Sequence, residues 1–337
     1  MTDGAPLPQH LHFPLVLADL GGTNLRLGYL ADPAADMRFL KKVKVADYPG
    51  LGAAMAAVLA EFGTRVRTAI IAFAGPVGGD DMRLTNHPWD ITPKKVAGDV
   101  GLDEVILVND FAAQALALPG LDAGELSQIG GRGPVAHAAK LVLGPGTGLG
   151  VAGLVPSPGG WVPVAGEAGH VELGPGDDDE EIWRHLERIE GRVTAETVIS
   201  GPGLLRLYRA VCAAAGSAPT FDAPEKITAA AKDDALAGRA LECFVAALGR
   251  TAGDLALVFL AKGGVFLSGG IAPRIVPWLQ AGGFRAAFEA KAPHRDLVTA
   301  MPVYVVTTAE PALAGLCALA KGTDRFAIDL SAARYTA

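Results

Sequence analysis

Two glycine turns, each set between apolar runs, constrain this chain more than any other feature. The first is Leu15-Val-Leu-Ala-Asp-Leu-Gly-Gly-Thr-Asn24, continued by Leu25-Arg-Leu-Gly-Tyr-Leu30. The second is Lys140-Leu-Val-Leu-Gly-Pro-Gly-Thr-Gly-Leu-Gly-Val-Ala-Gly-Leu-Val155. Each reads as strand, turn and strand, closed by a further turn signal, Asp32-Pro33 in one and Pro156-Ser-Pro158 in the other. Each is therefore a β-hairpin, and two halves that both open on a hairpin imply an internal duplication. Glycines let a backbone turn sharply and present its N–H groups, while Thr23 and Asn24 can donate to phosphoryl oxygens and Asp19 suits a hydrated Mg²⁺. A plain β-turn, with Asp19 accepting local backbone bonds, accounts equally for the first segment taken alone.

Neither glycine turn opens a helix. That separates them from a Walker loop, which needs a Lys-Ser/Thr pair at a helix start. Gly148-Leu-Gly150-Val-Ala-Gly153 has the spacing of a dinucleotide fingerprint, but its glycines fall in the outgoing strand, where a pyrophosphate finds no helix N-terminus.

The length of 337 residues suggests about two domains, and 50% apolar residues suffice for two packed cores. A balance of 29 basic against 36 acidic residues, net −7, argues against broad binding to nucleic acid or anionic membranes. No run of eighteen apolar residues occurs, and Met1–His10 lacks the basic and apolar regions of a signal peptide, so the expected location is the cytoplasm. Cys212, Cys243 and Cys317 stand far apart in alanine- and leucine-rich contexts, the pattern of buried free thiols rather than disulfides or a zinc site.

Along the chain, 13–31 reads as a hairpin, Val43–Val45 as a short strand, 48–62 as a helix and Thr68–Pro76 as a buried strand ending in Gly-Pro. Met82–Trp89 reads as a short strand and loop, Ile91–Ala97 as a helix, Glu104–Val108 as a strand, and Phe111–Leu118 as a helix stopped by Pro119-Gly120. The domain hinge is placed there. Further on, 140–155 opens the second half, a charged helix covers about 180–190, alanine-rich helices cover about 202–215 and 234–261, and Gly263–Ile271 is a strand running into another glycine turn before a helix start near Trp278.

The chemistry concentrates at Val108-Asn-Asp-Phe111, at the C-terminal end of a strand, where open α/β sheets bind ligands. Asp110 is either the N-cap of the helix from Phe111 or a general base that accepts a proton from an attacking hydroxyl. A second polar cluster is Ala165-Gly-Glu-Ala-Gly-His-Val-Glu172, whose glycines can bring Glu167 and His170 to a common side. Sugars need such groups, because each hydroxyl donates and accepts at once; a surface position explains Glu167 as well. Glu196 is either functional or a first-turn acid favoured by the helix dipole. Asp177–Glu181 reads as a solvated helix start without a function.

These motifs, in this order and over nearly the whole chain, resemble the bacterial glucokinases of the hexokinase and actin-like ATPase superfamily. Asp19–Asn24 resembles their first phosphate loop, Leu107-Val-Asn-Asp-Phe111 the catalytic-aspartate segment, Gly144–Gly150 the second phosphate loop and Gly269-Gly-Ile271 the adenosine segment. Thr85-Asn-His-Pro-Trp89 and Ser200-Gly-Pro-Gly203 match as well. The resemblance implies an α/β fold of two ribonuclease H-like domains with a cleft between them. The small domain spans 1–120, completed by 312–337, and the large domain spans 121–311. It further implies ATP and Mg²⁺ as cofactors, glucose as substrate, closure of the domains on glucose to exclude water, and a homodimer with neither nucleic acid nor membrane as partner. Asp110 would be the base for the 6-hydroxyl, with Asn109, Asp110, Gly148, Glu167, His170 and Glu196 against the sugar. Ala18, Asp19, Leu20, Gly21, Gly22, Thr23, Asn24, Gly146, Thr147, Gly148, Gly269 and Gly270 would bind the nucleotide, and Asp19 would hold Mg²⁺ through water.

Three departures bear on this. No cysteine lies between Gly166 and Gly201, so the zinc motif of the related repressors and kinases is not matched and zinc is not expected. About a dozen residues precede Leu15, too few for a DNA-binding helix-turn-helix. Pro145 removes one N–H donor from the second phosphate loop. A kinase for another hexose or amino sugar, and a non-catalytic actin-like nucleotide sensor, remain the alternatives; the polar set at 109, 110, 167, 170 and 196 is what a pure nucleotide switch has no reason to gather.

Overall fold

The computed structural model describes residues 11–75, 82–83 and 89–336. In the first half the chain forms β1 (Leu15–Leu20), β2 (Asn24–Leu30), β3 (Arg38–Lys44), α1 (Leu51–Glu61), β4 (Thr68–Phe73), a two-residue ribbon of β5 (Met82–Arg83) and β6 (Asp90–Ile91), α2 (Pro93–Val100), β7 (Glu104–Asn109) and α3 (Asp110–Ala117). The second half runs β8 (Leu126–Gly130), β9 (Lys140–Pro145), β10 (Leu149–Ser157), β11 (Gly160–Gly166), α4 (Glu180–Arg184), α5 (Ala195–Val198), α6 (Gly201–Ala214), α7 (Pro224–Ala230), α8 (Ala235–Phe259) and β12 (Val265–Leu267). It closes with α9 (Val276–Gln280), α10 (Gly283–Glu289), α11 (Arg295–Ala300), β13 (Val303–Val306), α12 (Pro311–Lys321) and β14 (Arg334–Thr336).

Two six-stranded sheets have the orders β14-β7-β4-β1-β2-β3 and β11-β10-β9-β12-β13-β8. Without the edge strands β14 and β8 the orders coincide: a three-strand meander leads, and two parallel strands then add beside its first strand. The chain thus consists of two α/β sheets of the ribonuclease H-like, actin-like ATPase kind. It divides into two compact units. One comprises the described residues of Met1–Leu121, Leu154–Ala165 and Ala309–Ala337, the other Asp122–Gly153 and Gly166–Thr308.

In the first unit the strands read as continuous apolar runs because both faces of the sheet are covered. Alternate residues of β1, β4 and β7 divide between two cores. Val16, Ala18, Ala69, Ile71, Val105 and Leu107 pack with α1 and α2, and Leu15, Leu17, Ile70, Ala72, Ile106 and Val108 pack with α3 and α12. The second unit has one large core in which β9, β12 and β13 meet α6, α8 and α10. Among the described residues no helix is long and apolar enough to cross a membrane.

Several boundaries differ from the sequence reading. The strand expected at Val43–Val45 starts at Arg38; its Arg and Lys residues, the usual guard of an edge strand, hide it from an apolar search. The helix expected from Ile91 starts at Pro93, the first helical position that proline favours. The charged helix ends at Arg184 rather than near 190: His185 and Leu186 N–H reach back only three residues, to Ile182 and Trp183 C=O, and Glu190 and Gly191 take positive φ in the turn that pairs Ile189 with Arg192. The strand from Thr68 ends at Phe73, and Thr85–Pro88 lies outside the described residues. Cys212 and Cys243 are buried free thiols, whereas Cys317 is only half-buried.

Candidate active site

In the first unit, Ala18 and Leu20 point into the core, so any contact they make with a ligand runs through their backbone. Asp19, between them, faces the opposite way. The turn after β1 is closed by Gly21 N–H donating to Asn24 C=O (3.0 Å) and is tied to the end of β3 by Val45 N–H donating to Thr23 C=O (3.0 Å). Gly22 and Thr23 are exposed at its tip. Asp19 lies directly across the hairpin from Arg26, whose Nη1 donates to Oδ2 at 3.1 Å. The same guanidinium reaches Glu310 Oε2 through Nε at 2.6 Å. Burial pushes the Asp19 carboxyl above its ordinary range, against the pull of Arg26. Burial raises Glu310 as well; Arg26 and Lys42 oppose that shift and Asp19 adds to it.

The parallel register places Leu20, Phe73 and Asn109 in one row, so the first glycine turn and the Asn109-Asp110 pair emerge at the same end of one sheet. Asn109 caps α3. Its Oδ1 accepts from Phe111 N–H (3.1 Å) and Ala112 N–H (3.0 Å), and its Nδ2 donates to Gly75 C=O (3.2 Å). The capping role open to Asp110 in the sequence thus falls to the residue before it. Asp110 stands in the first turn of α3, half-buried, with Oδ1 accepting from Phe111 N–H at 2.9 Å.

In the second unit the turn between β9 and β10 is closed by Gly146 N–H donating to Gly148 C=O (2.8 Å). Leu149 N–H donates to Glu196 Oε2 at 2.8 Å, and a Cβ on Gly148 would overlap that same oxygen. Only glycine leaves the Glu196 carboxylate its place. Gly201 N–H at the start of α6 donates to Gly146 C=O (2.8 Å). Ser200 caps α6 by accepting from Gly203 N–H and donates to Glu196 C=O (2.8 Å). Behind the turn, Ile271 N–H donates to Pro145 C=O (3.2 Å). Gly269 needs its glycine there, since its φ is +79° and a Cβ would press on that carbonyl. Pro145 closes β9 and contributes its carbonyl, so its missing N–H leaves the turn intact. Glu167 precedes and His170 ends a short 3₁₀ turn whose Gly169 packs on the Leu149 backbone. Their carboxylate and imidazole are 3.8 Å apart and exposed at 64% and 54%. Gly148, Glu167, His170 and Glu196 therefore gather around Leu149, while Asn109 and Asp110 belong to the other unit.

A sequence model of the glucokinase family matches residues 16–323, from the first glycine turn through α12. The chain belongs to the glucokinase family. A glucokinase of Mesorhizobium japonicum is 46% identical over 331 residues, 97% of each chain. Among solved structures, a glucokinase from an Antarctic psychrotroph superposes with a TM-score of 0.78 at 31% identity, covering 90% of this chain and 98% of that one. A ROK family glucokinase from Streptomyces griseus, in complex with glucose and AMPPNP, shares the fold with a TM-score of 0.66 at 21% identity, over 92% and 99% of the two chains.

Within this glucokinase-family chain three charged groups escaped the sequence reading. Arg26 was legible in principle: an antiparallel hairpin turning at Gly21–Thr23 sets residues 19 and 26 opposite. Glu310 left no local signal, being 284 positions from Arg26. The third is Asp179. It is 5% exposed rather than part of a solvated helix start, because two arginines of α8 draw it inward.

Proposed function

We propose that this chain transfers the γ-phosphoryl group of ATP to the 6-hydroxyl of D-glucose, giving glucose 6-phosphate and ADP. The observation that carries the reading is the division of roles at 109 and 110: Asn109 takes the helix cap, and Asp110 stands beside it as a carboxylate at the C-terminal end of a central strand, in the row of the first glycine turn. Asp110 is the general base, accepting the 6-hydroxyl proton as that oxygen attacks the γ-phosphorus. Asn109, Gly148, Glu167, His170 and Glu196 hold the sugar; the bond from Leu149 N–H fixes Glu196 before substrate arrives. Ala18–Asn24, Gly146–Gly148, Gly269 and Gly270 hold the nucleotide, the core-facing residues through backbone groups and Thr23 and Thr147 through hydroxyls. The glucose and AMPPNP held by the Streptomyces griseus enzyme of the same fold support this pairing of ligands.

Asp19 fits a Mg²⁺ contact through water. Its carboxylate already holds Arg26 at 3.1 Å, so a Mg²⁺ beside it would stand behind water, and would offset the cost that burial sets on the charged form. When bound, Mg²⁺ offsets charge on the phosphates. We place the enzyme in the cytoplasm as a homodimer, which the mass in light scattering tests. The deciding experiment supplies ATP and Mg²⁺ with glucose, mannose, fructose or glucosamine in turn and identifies the phosphorylated position by NMR. Glucose 6-phosphate as the dominant product supports the reading. Another dominant sugar phosphate changes the acceptor, and ATP binding without any sugar phosphate rejects catalysis.

A further inference from the structure

Asp179 joins a segment of irregular chain to the longest helix of the second unit. Its Oδ1 accepts from Arg239 Nη2 at 3.1 Å and from the Cys243 thiol at 3.4 Å, and its Oδ2 lies 3.5 Å from Arg250 Nη1. All three partners come from α8. The arginines also hold the backbone that leads into Asp179: Arg250 Nη2 donates to Gly174 C=O (3.0 Å) and Arg239 Nη2 to Asp178 C=O (3.0 Å). Arg250 further lies over the Trp183 ring, 5.7 Å from its centroid. A Cβ on Gly176 would collide with the Arg250 guanidinium, so the chain passes close over it.

This clamp sits immediately downstream of the loop that carries Glu167 and His170. Upstream of the clamp, the loop is pinned to the approach of α5 by Leu173 N–H donating to Val193 C=O (3.0 Å) and Ala195 N–H to Val171 C=O (2.9 Å). Glu167 and His170 themselves are exposed, so their placement depends on how the backbone beneath them is held. Asp179 is buried while Arg239 and Arg250 keep part of their side chains in solvent, and ion pairs around one buried carboxylate can fix one conformation against others without adding net stability. We infer that Asp179, Arg239 and Arg250 form a positioning clamp that sets the geometry of Glu167 and His170 and through it the affinity for the sugar. The inference rests on the reading of those two residues as sugar ligands.

The test is steady-state kinetics of Asp179→Asn and Arg250→Lys, with Glu167→Gln and His170→Asn as controls. Arg250→Lys keeps the charge but cannot hold Asp179 and the Gly174 carbonyl together, so it serves if Asp179→Asn fails to fold. The expected result is a KM for glucose raised at least about tenfold in the clamp variants, with kcat and the KM for ATP changed much less. A merely structural role would lower the melting temperature and the active fraction while leaving the KM for glucose alone. A glucose KM within about twofold of wild type in the folded clamp variants, with the controls raised, overturns the clamp. Unchanged glucose KM in the controls overturns the sugar-ligand reading and the clamp with it.

Discussion

Asp110 and Asn109 show how two adjacent polar residues are assigned different work by backbone geometry. Asn109 has extended φ and ψ (−62°, 142°), which aims its side chain at the first N–H groups of α3; Asp110 is already helical. If Asp110 is the general base proposed above, replacing it by Asn should leave the fold and glucose binding nearly intact while lowering kcat by about a hundredfold or more, the loss typical of a missing general base; single-turnover kinetics with glucose bound would measure it. Cys243 gives a prediction in pH. Burial, with Asp179 adding to it, pushes this thiol from an ordinary 9.0 up to about 12. The folded chain holds the proton where the unfolded chain releases it, so this group's contribution to stability is full below pH 9.0, falls through that window and is gone above about 12. Denaturant unfolding should show wild type losing stability more steeply than Cys243→Ser between those limits. At pH 8 a thiol reagent should reach Cys317 well before Cys243.

At the scale of elements, the helix that begins at Asp110 is held by close approach rather than by bulk. Gly315 of α12 lies so near the Ala113 carbonyl of α3 that a Cβ there would overlap it. Gly315→Ala should force the two helices apart, costing about 1–3 kcal/mol of stability, and because α3 carries Asp110 the same variant should lose turnover. Equal Tm and kcat to wild type would show that the crossing has slack. The same economy appears in the second glycine turn, where the vacancy at Gly148 is filled by the carboxylate of another element.

For the whole molecule, ligands that bind only the folded chain must stabilise it. Glucose at about a hundred times its Kd should add about 2.7 kcal/mol, read as a rise in melting temperature that mannose or fructose at equal concentration does not match. Failure of glucose to shift the transition would remove it as the acceptor. The repeated strand order explains why one chain presents two similar glycine turns: each sheet begins with a hairpin and places its turn at the end where its parallel strands finish.

The hairpins, the strand from Glu104, read one residue short of its end at Asn109, and the long helices α6 and α8 were legible in the chain itself, because periodicity and turn chemistry act within a few residues; the same local patterns single out Asp19, Asn109, Asp110, Glu167, His170 and Glu196 as candidates, whose roles are the proposal above. Tertiary structure alone decided the rest. Arg26 is shared between Asp19 and Glu310, Gly148 yields to Glu196, Gly315 yields to Ala113, and Asp179 turns inward to Arg239 and Arg250. Except for Asp19 and Arg26, which one hairpin sets opposite, each pairing joins residues far apart in sequence. Local pattern cannot encode a partner that only the packing of distant elements brings within reach of a carboxylate.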